Sequence, residues 1–161
     1  MKKAVRVIAI LGLAAALGAA LFAYEARNRF RRFRDDFLSL PPGSYEIDID
    51  KREAYGTGGG DQKSTVEVRD RETQQQVIAL FSALKYGGVK LSSTLPALGD
   101  DVYCVTLFSS EPFMAYRCYL SGSGDKNELE EITEGDLRFR LENTQALYDG
   151  LSVLWEKEGG A

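Results

Sequence analysis

Residues 7–24, VIAILGLAAALGAALFAY, form an apolar run of 18 positions without a charge. As a helix it spans about 27 Å, close to the ~30 Å hydrocarbon core of a bilayer. The pattern then changes. Phe30, Phe33 and Phe37 recur three and four apart, threaded between Arg27, Arg29, Arg31, Arg32 and Arg34. That spacing predicts a helix continuing beyond the apolar run. Its arginines would lie at lipid head groups, with Phe30 and Phe33 in the membrane interface. Pro41 and Pro42 stop the helix, and Gly43 supplies a turn.

Alternation takes over after the prolines. In SYEIDIDKREAY, residues Tyr45, Ile47 and Ile49 share one face, and Glu46, Asp48 and Asp50 the other. KSTVEVRD reads as a second strand, paired with the first as a hairpin across the loop GTGGGD. DRETQQQVIALFSALKYGG reads as a helix over 71–86, capped by Asp70 and ended by Gly87 and Gly88. Its inner stripe is Val77, Phe81 and Leu84. A long loop leads to VYCVTLF and FMAYRCYLSG, a hairpin about SSEP. NELEEIT and DLRFRLE form another about EG. A last helix is capped by Asn143 or Thr144 and turns Leu147, Leu151, Leu154 and Trp155 inward.

The expected fold is α+β: an N-terminal transmembrane helix, then a mostly antiparallel sheet with two helices, in the order β-β-α-β-β-β-β-α. Four segments follow: a tail over 1–6, an anchor or signal peptide over 7–24, a basic juxtamembrane helix over 25–40 and a globular domain over 41–161. Charge divides at the same place. Residues 1–40 carry eight Lys and Arg against three Asp and Glu; residues 41–161 carry twelve against twenty-one. An acidic domain repels nucleic acid, so any attraction for anionic lipid belongs to the amino-terminal segment.

Small residues at Gly18-Ala19-Ala20 and Ala16-Leu17-Gly18 are compatible with signal cleavage. The apolar run nevertheless continues past both sites and ends at arginines, which favours a retained anchor. Orientation is contested. Five arginines beyond the run against three cations before it place the domain in the cytoplasm by the positive-inside rule. A short charged tail of the MKK type argues for the reverse.

The absence of histidine removes the commonest general base and transition-metal ligand. Cys104 and Cys118 are the only cysteines. If Ser109 faces Phe113 across the SSEP hairpin, the two cysteines face each other and a cross-strand disulfide is feasible. If Ser109 faces Pro112, they point to opposite faces and remain buried thiols. GTGGGD lacks the strand-before, helix-after setting of a phosphate loop. Asp48 with Asp50, and Asp100 with Asp101, imitate metal sites but read as solvated carboxylates. No GxSxG serine motif is present and no histidine can serve as base, though a lysine base remains open. Tyr103, Tyr116 and Tyr119 either line a binding face or pack in the core. No catalytic, cofactor-binding or metal-ligating residue is assigned, and no cofactor is expected.

Three stretches, STVEVRDRETQQQVIALFSAL, KLSSTLP running into VYCVTLF, and ITEGDLRFRLENTQALYDGLSVL, carry a resemblance. The chain resembles small uncharacterised bacterial membrane-anchored or lipoprotein-like surface proteins, and lacks the lipobox cysteine of the lipoprotein members. The resemblance implies an extracytoplasmic α+β module and tips the orientation outward. The expected function is then a membrane-tethered binding module of the bacterial cell envelope. Its partners would be the membrane and another envelope protein, a basic peptide or wall material. Two alternatives remain. One is an envelope hydrolase using paired carboxylates among Asp48, Asp50, Asp100, Asp101 and Glu111; the other is a cytoplasmic-side membrane adaptor.

Overall fold

The computed structural model of the chain describes residues 2–52, 64–90, 102–122, 127–133 and 137–158. The described fold is α+β, with three α-helices and seven strands in a single antiparallel sheet. Helix α1 is Lys2–Arg32 and runs on into a π-helical turn, Phe33–Phe37. Strands β1 (Glu46–Arg52) and β2 (Ser64–Val68) precede α2 (Arg71–Ser82). Then come β3 (Lys85–Val89), β4 (Val102–Ser110), β5 (Phe113–Ser121), β6 (Glu128–Glu131) and β7 (Leu137–Glu142). Helix α3, Gln145–Lys157, closes the described chain. The sheet order is β2-β1-β4-β5-β6-β7-β3.

All three helices cover one face of the sheet. Ile47, Ile49, Val105, Leu107, Cys118 and Leu120 point into that core, together with Leu129 and Phe139. Against them pack Val77 and Phe81 of α2 and Leu147, Leu151, Leu154 and Trp155 of α3, the inner stripes expected from periodicity. Asp70 caps α2 as its position suggested, accepting hydrogen bonds from the Glu72 and Thr73 amides. Thr144 holds the N-cap position of α3 without a side-chain cap; its Oγ1 accepts from Asn127 Nδ2 at 2.5 Å instead. Gln74 is buried and fully engaged. Its Nε2 donates to the Tyr45 and Val68 carbonyls, both at 3.0 Å, and its Oε1 accepts from the Gly43 amide. One side chain thus ties α2 to the starts and ends of the first hairpin.

The largest departure from the sequence pattern concerns α1. Phe30, Phe33 and Phe37 are 6%, 1% and 0% exposed. They do not lie in a membrane interface; they are the centre of the core. Phe33 meets Tyr116 edge-on with centroids 4.7 Å apart, and Phe37 meets the same ring at 5.0 Å. Helical spacing identifies a shared face but not what covers it. Here the sheet offered more aromatic surface than α2 and α3 could cover, and α1 covers the rest. The segment 25–40 is therefore packed as part of the globular fold.

A second departure is β3. The expected helix over 71–86 stops at Ser82, with the Ala83 amide bonded to Leu80 and Phe81 carbonyls. Lys85–Val89 then pairs with β7. Gly87 and Gly88 serve this strand rather than a helix end. A Cβ on Gly87 would lie 3.1 Å from the Arg140 carbonyl oxygen, and Gly88 takes φ +115° where the pairing shifts register. Tyr86 gains a place against Phe30 by this route, with centroids 5.4 Å apart.

Burial of the three rings predicts that α1 is needed for folding. Phe33→Ala should lower stability by about 3–5 kcal/mol. A chain starting at Glu25 should give a cooperative urea transition in near-UV circular dichroism, and one starting at Pro41 should give none. A folded 41–161 chain would show that the rings are dispensable.

Candidate functional site

Two surfaces stand out: the junction where α1 leaves the core, and the sheet face opposite the described α-helices. At the junction, side chains switch from exposed to buried within a turn. Leu21, Phe22 and Tyr24 are 68%, 47% and 66% exposed, whereas Ala26 is 1% exposed. The whole apolar window of the helix is unburied, and it is long and apolar enough to cross a membrane. No linker separates it from the core.

The arginines that looked equivalent in the sequence divide by position. Arg29 points inward and pairs with Glu131 at 2.7 Å, both side chains largely buried. Arg32 lies 3.9 Å from Glu25, and Arg34 pairs with its neighbour Asp35 at 2.9 Å. Arg27 and Arg31 are exposed. Of the seven residues expected at the interface, Phe30, Phe33 and Arg29 are thus directed into the protein.

The opposite sheet face carries a charged network among buried residues, with Val102, Cys104 and Tyr119 also buried on it. Glu128, fully buried, takes Lys90 on one carboxylate oxygen and Arg138 on the other, the latter at 3.2 Å. Arg138 bridges on to Glu130 at 2.9 Å, and Arg117 stands 4.0 Å from the same carboxylate. Such a network neutralises carboxylates that burial would otherwise penalise. It leaves Glu128 paired with cations on both of its oxygens.

Further along this face, Asp48 is the register partner of Glu67, and Asp50 that of Thr65, whose hydroxyl donates to it at 2.6 Å. Glu46 lies on the same side. Partial burial, then the charges of Glu67, Asp50 and Glu46, hold the Asp48 carboxyl above its ordinary range. A groove of about 540 Å³ runs past Glu46, Asp48, Glu67, Arg69, Arg71 and Gln74. It is open, and Asp48 and Glu67 are exposed. Glu111 sits in the β4–β5 turn. Asp100, Asp101 and the GTGGGD stretch lie outside the described residues. Sequence reading missed Glu67, although two alternating strands joined as a hairpin imply that some acid of the second would face Asp48. Among the described residues, no three Cys, Asp or Glu side chains are placed to hold a metal ion.

The cysteines are not disulfide-bonded. Ser110 faces Phe113 around the two-residue turn Glu111-Pro112, so Cys104 pairs with Tyr119 and Cys118 with Val105. This register is neither of the two considered above. It aligns Tyr103, Val105 and Leu107 with Leu120, Cys118 and Tyr116 on the core face, where all six are buried. The thiols consequently point to opposite faces. Burial first, then Cys104 and Glu128, push the Cys118 thiol well above its usual range. Tyr103 and Tyr116 are core residues, edge-on to Trp155 and Phe33 respectively, while Tyr119 lies on the opposite face.

No family model, curated protein or solved structure matches the chain.

Alkylation after denaturation without reductant should modify both cysteines, and non-reduced digests should hold no Cys104–Cys118 linked pair. A linked pair would overturn the register. Asp48→Asn should raise stability at neutral pH by about 0.5 kcal/mol, because like charges facing across strands are destabilising. The folded pKa of Asp48 is raised, so the folded state binds this proton more tightly than the unfolded chain. Stability is therefore gained as pH falls through the folded pKa and lost as it rises. Urea midpoints of wild type and Asp48→Asn should differ at pH 7 and converge in acid.

Proposed function

We propose that the chain is a single-pass membrane protein of the bacterial cell envelope whose globular part is a non-enzymatic binding module held outside the cytoplasm. The observation that carries the anchor is the apolar half of α1, exposed on all sides and continuous with a core helix. Contiguous exposed apolar surface of this size marks a membrane or partner site. A helix apolar all round suits lipid better than a one-sided protein groove.

The binding reading rests on the open groove past Asp48 and Glu67 rather than on an enclosed cleft. Asp48 and Glu67 are opposed but exposed, and the buried Glu128 is held between two cations. A carboxylate hydrolase needs its raised acid and the partner carboxylate on either side of a substrate cleft, whereas Asp48 and Glu67 sit exposed as neighbours on adjacent strands. An open groove where Glu46 and Asp48 stand beside Arg69 and Arg71 suits a peptide, another envelope protein or wall material.

Orientation rests on the short charged tail and the resemblance to anchored surface proteins. Two buried thiols suit either compartment. The count of five arginines beyond the apolar run against three cations before it opposes this orientation.

An impermeant amine label on intact cells should modify exposed Lys157; labelling only after lysis would reverse the orientation. Cross-linking of the full chain in intact membranes should enrich a partner over a control carrying residues 1–24 alone. Equal recovery from both would remove the interaction reading.

A further inference from the structure

Helix α1 crosses the covered sheet face strand by strand. Phe30 meets Tyr86 of β3 and Phe139 of β7, with centroids 5.4 and 5.7 Å apart. Arg29 reaches Glu131 of β6. Phe33 reaches Tyr116 of β5, and Phe37 reaches Tyr45, just before β1. The helix therefore leaves the domain over β3, an outer strand of the sheet, and is exposed from Tyr24 back. Strand β2 forms the opposite edge, six strand spacings or about 29 Å away.

Charge follows the same axis. Near the exit lie exposed Arg27 and Arg31 of α1, Lys85 of β3 and Arg140 of β7. Arg140 flanks Gly87, beside the Tyr86 that packs on Phe30 of α1. Glu25 and Glu142 temper this rim without reversing it. At the far edge stand Glu46, Asp48 and Glu67, with Arg69 paired to Glu67 and Arg71 lining the same groove.

We infer that the sheet stands edge-on to the bilayer, with the β3 edge against the lipid head groups and Arg27, Lys85 and Arg140 contacting their phosphates. The inference rests on the anchor reading above. Lipid is the occupant because this rim is continuous with the exposed apolar helix: a bilayer that takes Val7–Tyr24 must reach the head-group level at the residues beside β3. Basic residues at that level gain from anionic lipid, while Glu46 and Asp48 are kept distant. The groove by β2 then faces away from the membrane, open to a partner.

The full chain in phosphatidylcholine vesicles, with and without phosphatidylglycerol, tests this. Lys85→Cys and Glu67→Cys each place a label at an exposed position, and both native thiols are buried. A fluorophore at position 85 should be quenched by head-group-labelled lipid several-fold more than one at 67. Phosphatidylglycerol should widen that ratio by about twofold or more, and Arg27→Glu with Arg140→Glu should abolish the widening. A chain that leaves the vesicles in alkaline carbonate overturns the anchor and this inference together. A chain that stays but is quenched equally at both positions overturns the orientation alone. A ratio indifferent to phosphatidylglycerol overturns the phosphate contacts.

Discussion

Phe30, Phe33 and Phe37 hold the fold together from inside a helix that also has an exposed apolar half. The π-helical turn matters here. Its wider winding, closed by the Leu38 amide on the Phe33 carbonyl at 3.0 Å, brings Phe33 and Phe37 almost one above the other. Their planes differ by 16°, and both meet Tyr116 edge-on. Aromatic pairs in such geometry contribute beyond the area they bury. From this wedge the contacts spread outward: Phe81 brings in α2, Phe139 and Tyr86 bring in β7 and β3, and Tyr45 brings in β1. A sheet of seven strands with helices on one face needs a cover about 29 Å wide. Two helices of 12 and 13 residues, α2 and α3, pack beside each other, and α1 covers what they leave.

The other sheet face solves a different problem. Glu128 has no exposed surface, so its charge must be met within the protein. Lys90 and Arg138 meet it, and the register that places Glu130 opposite Arg138 extends the network by one more carboxylate. Replacing either cation would leave a buried carboxylate under-compensated. The pairing of β6 with β7 is therefore specified on both faces, by Leu129 against Phe139 in the core and by charge outside it. That double specification suits β6, which has only four residues.

Alternation made most strands legible, and the inner stripes of α2 and α3 followed from helical spacing. The rest depended on partners remote in sequence. KYGG continues a helical pattern locally, but Tyr86 packs on Phe30, 56 positions earlier, and Gly87 permits the approach of β7. The β4–β5 register turned on which residue closes a tight turn, a difference of one position. Core burial on Val105 and Leu107 decided it, and the same decision separated the cysteines. The arginine and phenylalanine stretch is the sharpest case. Its periodicity was visible, yet a phenylalanine stripe fits lipid and protein equally well until the opposing surface is known. Of the candidate site, the acids of β1 were readable, whereas Glu67 and the Glu128 network required the pairing of strands.

A domain joined to its anchor through a flexible linker samples many orientations, and its reach grows with linker length. Here α1 is continuous from Lys2 to Arg32, and its last turns are core. Rotation of the domain about the anchor would require twisting the helix or unpacking Phe30 and Phe33. If the apolar half spans a bilayer, the domain is held at one height and one azimuth. Its reach then equals its own dimension, about 29 Å across the sheet. A partner that engages the outer edge must come within that distance of the membrane, which favours partners that are themselves membrane-bound or lie on its surface. The same rigidity links the two surfaces mechanically. A tilt of the anchor moves the outer edge, because no hinge intervenes to absorb it.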